Sequence, residues 1–211
     1  RRPALRILAE QADWGYGEKW LTRGRADMVF AFPLRGALVS LNKATIVENI
    51  RATDAATPAG KRQLIFLENH DIDRYMSEVH GDPAKARAGA AIALMLKGDP
   101  LIYYGQELGM RGVQPKNLGK SSGIPLTDAV GIPVREAFRW DANLEAPGSA
   151  IWYRGDQWFW KDRFNRSHDG VSLQEEQARP DSLYHWYKQL LALRHARPEI
   201  SAGSQRILFD D

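Results

Sequence analysis

The chain has 211 residues, 44% of them hydrophobic and 26% charged, a balance that suits a globular core and excludes a disordered chain. Net charge is +3, with Lys and Arg interleaved among Asp and Glu rather than gathered into a basic block, so no nucleic acid partner is expected. Cys is absent, which excludes disulfides and thiolate metal sites without fixing a compartment, and no apolar run reaches membrane-spanning length, so no membrane partner is expected either.

Short apolar runs recur along the chain, each followed by a helical pattern. Leu5-Arg6-Ile7-Leu8 predicts the first strand, and Tyr16 to Thr22 a short helix. Met28-Val29-Phe30-Ala31-Phe32 predicts the second strand. It is followed by a helix over Ala44 to Ala56, with Ile46, Val47 and Ile50 on one face. Leu64-Ile65-Phe66-Leu67 predicts the third strand. Asp82 then offers a cap, Pro83 suits the first helical position, Ala84 to Lys97 continue the helix, and Gly98 ends it. Leu101-Ile102-Tyr103-Tyr104 predicts the fourth strand.

From Arg111 to Arg179 the chain reads as a long loop, rich in Gly, Pro and Asn, with Trp140, Trp152, Trp158 and Trp160 inside it. Those indoles suit either a small hydrophobic cluster under the loop or flat faces for stacking on sugar rings. After Pro180, Leu183, Trp186, Tyr187, Leu190 and Leu191 form a helical stripe that Pro198 stops. Gln205 to Phe209 predict a new strand. The expected division is therefore one α/β segment over 1–200 and the start of a following β domain over 201–211.

Strand-helix alternation of this kind implies a parallel α/β sheet, and four units make half of an eightfold barrel. The alternative, an open doubly wound sheet, usually carries a Gly-rich phosphate turn after its first strand, and this chain has none. Parallel barrels place reactive groups at the C-terminal ends of their strands. The first run exits into Ala9-Glu10-Gln11, the third into Glu68-Asn69-His70-Asp71-Ile72-Asp73-Arg74, and the fourth into Gly105-Gln106-Glu107. The second, Pro33-Leu34-Arg35, carries no carboxylate. Converging carboxylates are what glycoside hydrolysis needs, one to protonate the leaving oxygen and others to meet the oxocarbenium-like sugar. Each acid alone has a plainer reading: Asp71 as a turn cap, Glu107 as a partner of Arg111, His70 as a structural histidine. Asp71-x-Asp73 is too sparse a ligand set to argue for a divalent cation.

At greater length, the motifs resemble one family. Phe66-Leu67-Glu68-Asn69-His70-Asp71 resembles the F-x-x-N-H-D motif that closes the seventh strand of the α-amylase family of glycoside hydrolases. Gly98-Asp99-Pro100-Leu101-Ile102-Tyr103-Tyr104-Gly105-Gln106-Glu107-Leu108-Gly109 is similar to that family's eighth strand, and Phe138-Arg139-Trp140-Asp141 to a loop of its oligosaccharide-active members. Ser182 to Pro198 is similar to its last barrel helix, so the resemblance covers nearly the whole chain.

The resemblance implies a (β/α)8 TIM barrel of which only the second half, strands 5 to 8, is present. It implies an enzyme that cleaves α-glucosidic bonds in α-glucans or α-glucooligosaccharides, with starch among the substrates to test. The Trp-rich loop and Arg74 lean toward short oligosaccharides. Glu10 takes the family's general acid/base position, although Gln11-Ala12 depart from the usual small or aliphatic residue and then an aromatic, which comes only at Trp14. Asp71 matches the transition-state stabiliser, His70 a hydroxyl-binding partner at the same sugar, and Arg74 a further substrate-binding position. No metal ligand and no cofactor is expected in this segment; calcium belongs to the missing half if it is used. The nucleophile, an Asp after the fourth strand, has no match here. The expected partners are thus an α-glucan or oligosaccharide and the missing N-terminal half of the barrel, and the 211 residues alone are expected to be inactive. The alternative is a catalytically silent relative acting as a carbohydrate-binding or transporter-associated subunit. Retention of both Glu10 and Asp71 argues against it.

Overall fold

A computed structural model describes residues 5–11, 13–114, 131–150 and 163–208. The chain divides into two compact units, the first drawn from residues 1–67, 88–101 and 190–211, the second from residues 68–87 and 102–189. No described helix is long and apolar enough to cross a membrane.

The first unit holds a parallel sheet of four strands, Leu8–Ala9 (β1), Met28–Phe30 (β2), Arg62–Phe66 (β3) and Asp99–Leu101 (β4), in the order β1-β2-β3-β4. Its register pairs Leu8 with Met28, Leu64 with Phe30 and with Asp99, and Phe66 with Leu101. Val29, Leu64, Ile65 and Phe66 are buried, as strands covered on both faces require. Sequential parallel neighbours with helical crossovers are the alternation read from the sequence. Each strand lies within or beside its predicted run.

Local chemistry sets the helices of this unit. Glu18–Thr22 (α1) begins after Gly17, whose φ is 74° and where an added Cβ would lie 2.6 Å from Val29 Cγ2. Only glycine lets that turn press against β2. Phe32–Ser40 (α2) is a helix that the sequence reading misses, because it assigns Phe32 to the strand and Pro33 to a loop. Pro33 instead sits in the first turn, where its missing N–H costs nothing, and Leu34, Ala37 and Leu38 are buried at helical spacing. Asn42 caps Lys43–Ala55 (α3) by accepting the Thr45 N–H at 3.0 Å.

Tyr75–Glu78 (α4) is a single turn in the second unit, and Pro83–Met95 (α5) follows it. Asp82 Oδ1 accepts the N–H groups of Ala84 at 2.9 Å and Lys85 at 3.2 Å, the expected cap. Gly98 lies three residues past α5 at φ 124°, and its lack of a Cβ lets the chain pass the Gln63 carbonyl, 2.9 Å from where that Cβ would be. Leu173–Ala178 (α6) starts with a capping box between Ser172 and Glu175, and Leu183–Ala196 (α7) is the predicted striped helix. Pro198 opens one more turn, Pro198–Ala202 (α8).

The expected strand at the C-terminus is not formed among residues 203–208, and residue 209 lies outside the described range. Residues 201–208 group with the first unit. Gln205 Oε1 accepts the Lys97 N–H at 3.0 Å and Gln205 Nε2 donates to Asp54 at 2.9 Å, so its polar groups bond to neighbouring loops and side chains rather than a ladder.

The described residues of the long segment after Arg111 are tied down by buried charge. Among its described residues, Glu136 is buried and accepts from Arg163 at 2.7 Å and Asn165 at 2.8 Å. Asn165 also holds both backbone groups of Arg111. Arg139 is buried against Asp169 and donates to the Arg166 carbonyl at 2.8 Å. Polar pairs of this kind give a loop without a large apolar core a fixed path.

Candidate active site

Parallel strands of this kind carry reactive groups just past their C-terminal ends, which here are the residues after β1, β3 and β4. Glu10 directly follows β1 and is exposed. The next residue, Gln11, is fully buried: its amide accepts from the Phe30 N–H at 3.2 Å and donates to the Phe30 and Gly15 carbonyls. This departure from the family pattern is thus a clamp that binds the exit of β1 to β2.

After β3 the chain enters the second unit at Glu68. Asn69 is buried, and its Oδ1 accepts the Asp71 N–H at 2.9 Å, which turns the chain sharply. His70 and Asp71 are left exposed, with His70 Nε2 3.2 Å from Asp71 Oδ2. Arg135 reaches back over this turn, donating to the His70 carbonyl at 3.0 Å and to Asp71 Oδ1 at 2.8 Å. The turn therefore presents an exposed carboxylate with a histidine on one oxygen and a guanidinium on the other. Arg135 is a site residue that the sequence reading misses. It sits 64 positions from Asp71, and only the fold joins them. Asp73, read as a weak cation ligand with Asp71, instead accepts the Gln114 N–H at 2.7 Å.

Arg74 requires a correction. Expected to bind substrate, it is fully buried: its Nη1 donates to Glu68 at 2.8 Å and to the Tyr104 carbonyl at 2.6 Å. Its guanidinium also lies 4.3 Å from the Tyr103 ring centroid and 4.9 Å from that of Tyr104. A guanidinium so enclosed offers no surface to a sugar. Glu68 in turn accepts the Tyr75 N–H at 2.6 Å, so the pair joins the strand exit to α4. The exposed aromatic above it, Tyr104, donates its hydroxyl to the Glu136 carbonyl at 3.0 Å.

Glu107, for which a pair with Arg111 was the plainer reading, has one carboxylate oxygen buried without a partner among the described residues. Burial pushes its carboxyl above the ordinary range. Arg111 lies over the Phe164 ring at 5.0 Å instead. Of the Trp-rich stretch, Trp140 is 61% exposed and packs against Phe138 at 4.4 Å, which fits an outward-facing platform. Trp152, Trp158 and Trp160 lie outside the described residues.

Comparison with known proteins agrees with the motifs. The alpha amylase catalytic domain model matches residues 12–203, and the chain belongs to the alpha-amylase family of glycoside hydrolases. The chain is 31% identical over 148 residues to Alpha-amylase 3 of Dictyoglomus thermophilum, covering 70% of this chain and 25% of that one. It is 26% identical over 230 residues to a probable oligo-1,6-glucosidase 3 of Bacillus subtilis, covering 96% of this chain and 40% of that one. Among solved structures it is similar to an alpha-amylase from H. orenii, with a TM-score of 0.72, 25% identity and coverage of 95% of this chain and 38% of that chain. The parallel α/β architecture is thus that of alpha-amylase-type barrel enzymes. The chain spans well under half the length of these relatives.

Proposed function

We propose that these residues are the second half, strands 5 to 8, of the (β/α)8 catalytic barrel of a retaining α-glycosidase. Its substrates are α-glucans or α-glucooligosaccharides. The observation that carries this reading is the exit of β3, where buried Asn69 turns the chain so that His70 and Asp71 stand exposed after the strand. The names of the relatives, an alpha-amylase and an oligo-1,6-glucosidase, support the substrate class. With Arg74 buried, the lean toward short oligosaccharides rests on the Trp-rich loop and the second of those relatives.

In this reading Glu10 protonates the glycosidic oxygen as the bond to the anomeric carbon breaks. It later takes a proton from the water that releases the sugar. Asp71 grips hydroxyls of the same sugar more strongly as positive charge builds on the ring. His70 binds a neighbouring hydroxyl. Arg135 keeps Asp71 oriented until sugar hydroxyls share its oxygens. The nucleophile comes from outside these 211 residues, because no position here matches the family's motif.

Assay of the full-length enzyme on maltotriose, starch and pullulan tests this. Glu10→Gln and Asp71→Asn should each lower kcat by about a thousandfold or more while the protein stays folded. Near-normal turnover in either variant would refute its role. Sugar binding without cleavage by the wild type would identify the silent relative instead.

A further inference from the structure

Glu10 stands exposed, and its carboxylate makes no hydrogen bond among the described residues. Its place is therefore set through its backbone. The strand that leads to it is two residues long and pairs Leu8 with Met28 and Ala9 with Val29. One step further, the register would set Glu10 opposite Phe30, and the Phe30 carbonyl would receive the backbone N–H of Gln11. That carbonyl accepts the Gln11 side-chain amide instead, and the oxygen of the same amide accepts the Phe30 N–H at 3.2 Å. A primary amide is planar and carries both a donor and an acceptor, as a peptide group does. The side chain thus stands in for the next length of main chain. The backbone can leave the sheet at Glu10 without orphaning the Phe30 carbonyl.

Both ends of this clamp are fixed. Phe30 is buried and lies edge-on to Phe66, with ring centroids 5.4 Å apart. Gln11 is fully buried, its amide donates a second bond to the Gly15 carbonyl at 3.0 Å, and its own carbonyl accepts the Trp14 N–H at 3.2 Å. The turn so closed is also held at its far side. Trp14 stacks on Phe32 with centroids 5.0 Å apart, and Asp13 accepts the Gly15 N–H at 3.2 Å. Trp14 has φ 49°, in the left-handed region that a bulky residue keeps only where its surroundings impose it. One polar side chain ends the strand, closes the turn and fixes the main chain that carries Glu10. An apolar residue of the same size would fill the space and do none of these.

We propose that Gln11 is a positioning residue for general acid catalysis: its amide fixes where the Glu10 carboxyl stands relative to the glycosidic oxygen. This rests on the reading of Glu10 as the acid. Gln11 touches neither substrate nor reacting atoms. Proton transfer needs the acid within hydrogen-bond reach of that oxygen, and a displacement of about 1 Å is enough to cost roughly a hundredfold in rate. Without the amide, the buried Phe30 carbonyl loses its donor. The main chain of Gln11 can replace that donor only by moving into the ladder, which carries Glu10 with it.

The role is read in the full-length enzyme through kcat/KM, which in a retaining mechanism covers only the steps up to the glycosyl-enzyme. Gln11→Met keeps the volume and removes the amide. On maltotriose, whose leaving group needs a proton, it should lower kcat/KM by roughly ten- to a hundredfold. On α-glucosyl fluoride, whose leaving group departs without one, the change should stay within about twofold. In a Glu10→Gln background the same substitution should cost maltotriose cleavage nothing further, because no acid is left to place. Equal loss on the two substrates, or a loss that adds in full to that of Glu10→Gln, would mean that Gln11 only stabilises the fold and would overturn the proposal. So would unchanged kinetics in Gln11→Met. If the methionine variant does not fold, Gln11→Glu, which keeps an acceptor for the Phe30 N–H, carries the same test. Glu10→Gln alone tests the underlying reading: if it cleaves maltotriose at the wild-type rate, the acid assignment fails, whatever Gln11 does.

Discussion

Arg74 and Glu107 sit at neighbouring strand exits, and the fold compensates their burial unequally. Arg74 loses its hydration shell and gains Glu68, a carbonyl and two aromatic rings in return. Glu107 is desolvated, and one of its oxygens gains no partner among the described residues. Its raised pKa has a definite consequence for stability. A carboxyl that holds its proton more tightly folded than unfolded makes the native state lose stability as pH rises from the unfolded pKa through the folded one. Glu107→Gln removes that loss. Denaturant unfolding should show the variant more stable than wild type at neutral pH, with the difference shrinking toward pH 4. A difference that persists unchanged at acid pH would contradict the assignment. The same scale shows what a motif can carry. Asp71 and His70 were legible as positions in F-x-x-N-H-D, and the fold leaves both exposed. Arg74 was legible as a position but not as a contact, because nothing in its spacing says that Glu68, six residues earlier, encloses it.

Elements were legible to the extent that their signals were local. The caps at Asn42, Asp82 and Ser172 each satisfy N–H groups that would otherwise be orphaned, and Asp82 could be named from its proline neighbour alone. α2 was missed because a proline after an apolar run reads equally as a strand exit and as a first helical turn. The C-terminal end of α5 is satisfied from a distance. Arg194, on α7, donates to the carbonyls of Leu94 and Leu96, the latter at 3.0 Å, and to that of Gly98. No sequence rule pairs residues 100 positions apart. Arg194→Met keeps the apolar stem but leaves three carbonyls without their donor, and should cost about 2–4 kcal/mol of stability by chemical denaturation. Loss below about 0.5 kcal/mol would show that water replaces the guanidinium.

At the scale of the molecule, the chain builds two units from interleaved segments. One carries the sheet, Glu10 and Trp14, and the other carries His70, Asp71, Arg135 and the buried ion pairs of the long loop. β1 is the outer strand of the described sheet, and Leu8 within it and Leu5 and Ile7 just before it are exposed apolar residues. An open parallel edge with an apolar flank is what a barrel presents where further strands continue it. If the nucleophile lies on such strands, the 211 residues alone should release no glucose or maltose from maltotriose, and adding the remainder of the full-length protein should restore cleavage. Hydrolysis by the 211-residue chain that disappears in Glu10→Gln would show instead that these residues hold a complete site.

The sequence by itself determined the class of fold, the order of the four parallel strands, and the residues at strand exits. Apolar periodicity, capping residues and short motifs act between near neighbours and survive in one dimension. It also determined the family, through motifs long enough to be specific. Only the tertiary structure decided which charged groups face water and which are enclosed. It buried Arg74 on Glu68, set Arg135 on Asp71, and turned Gln11 from a departure in a motif into a clamp. It also leaned Trp14 on Phe32. Each of these depends on partners distant in sequence or on the desolvation that packing imposes, and burial is a property of the folded chain rather than of any residue in it.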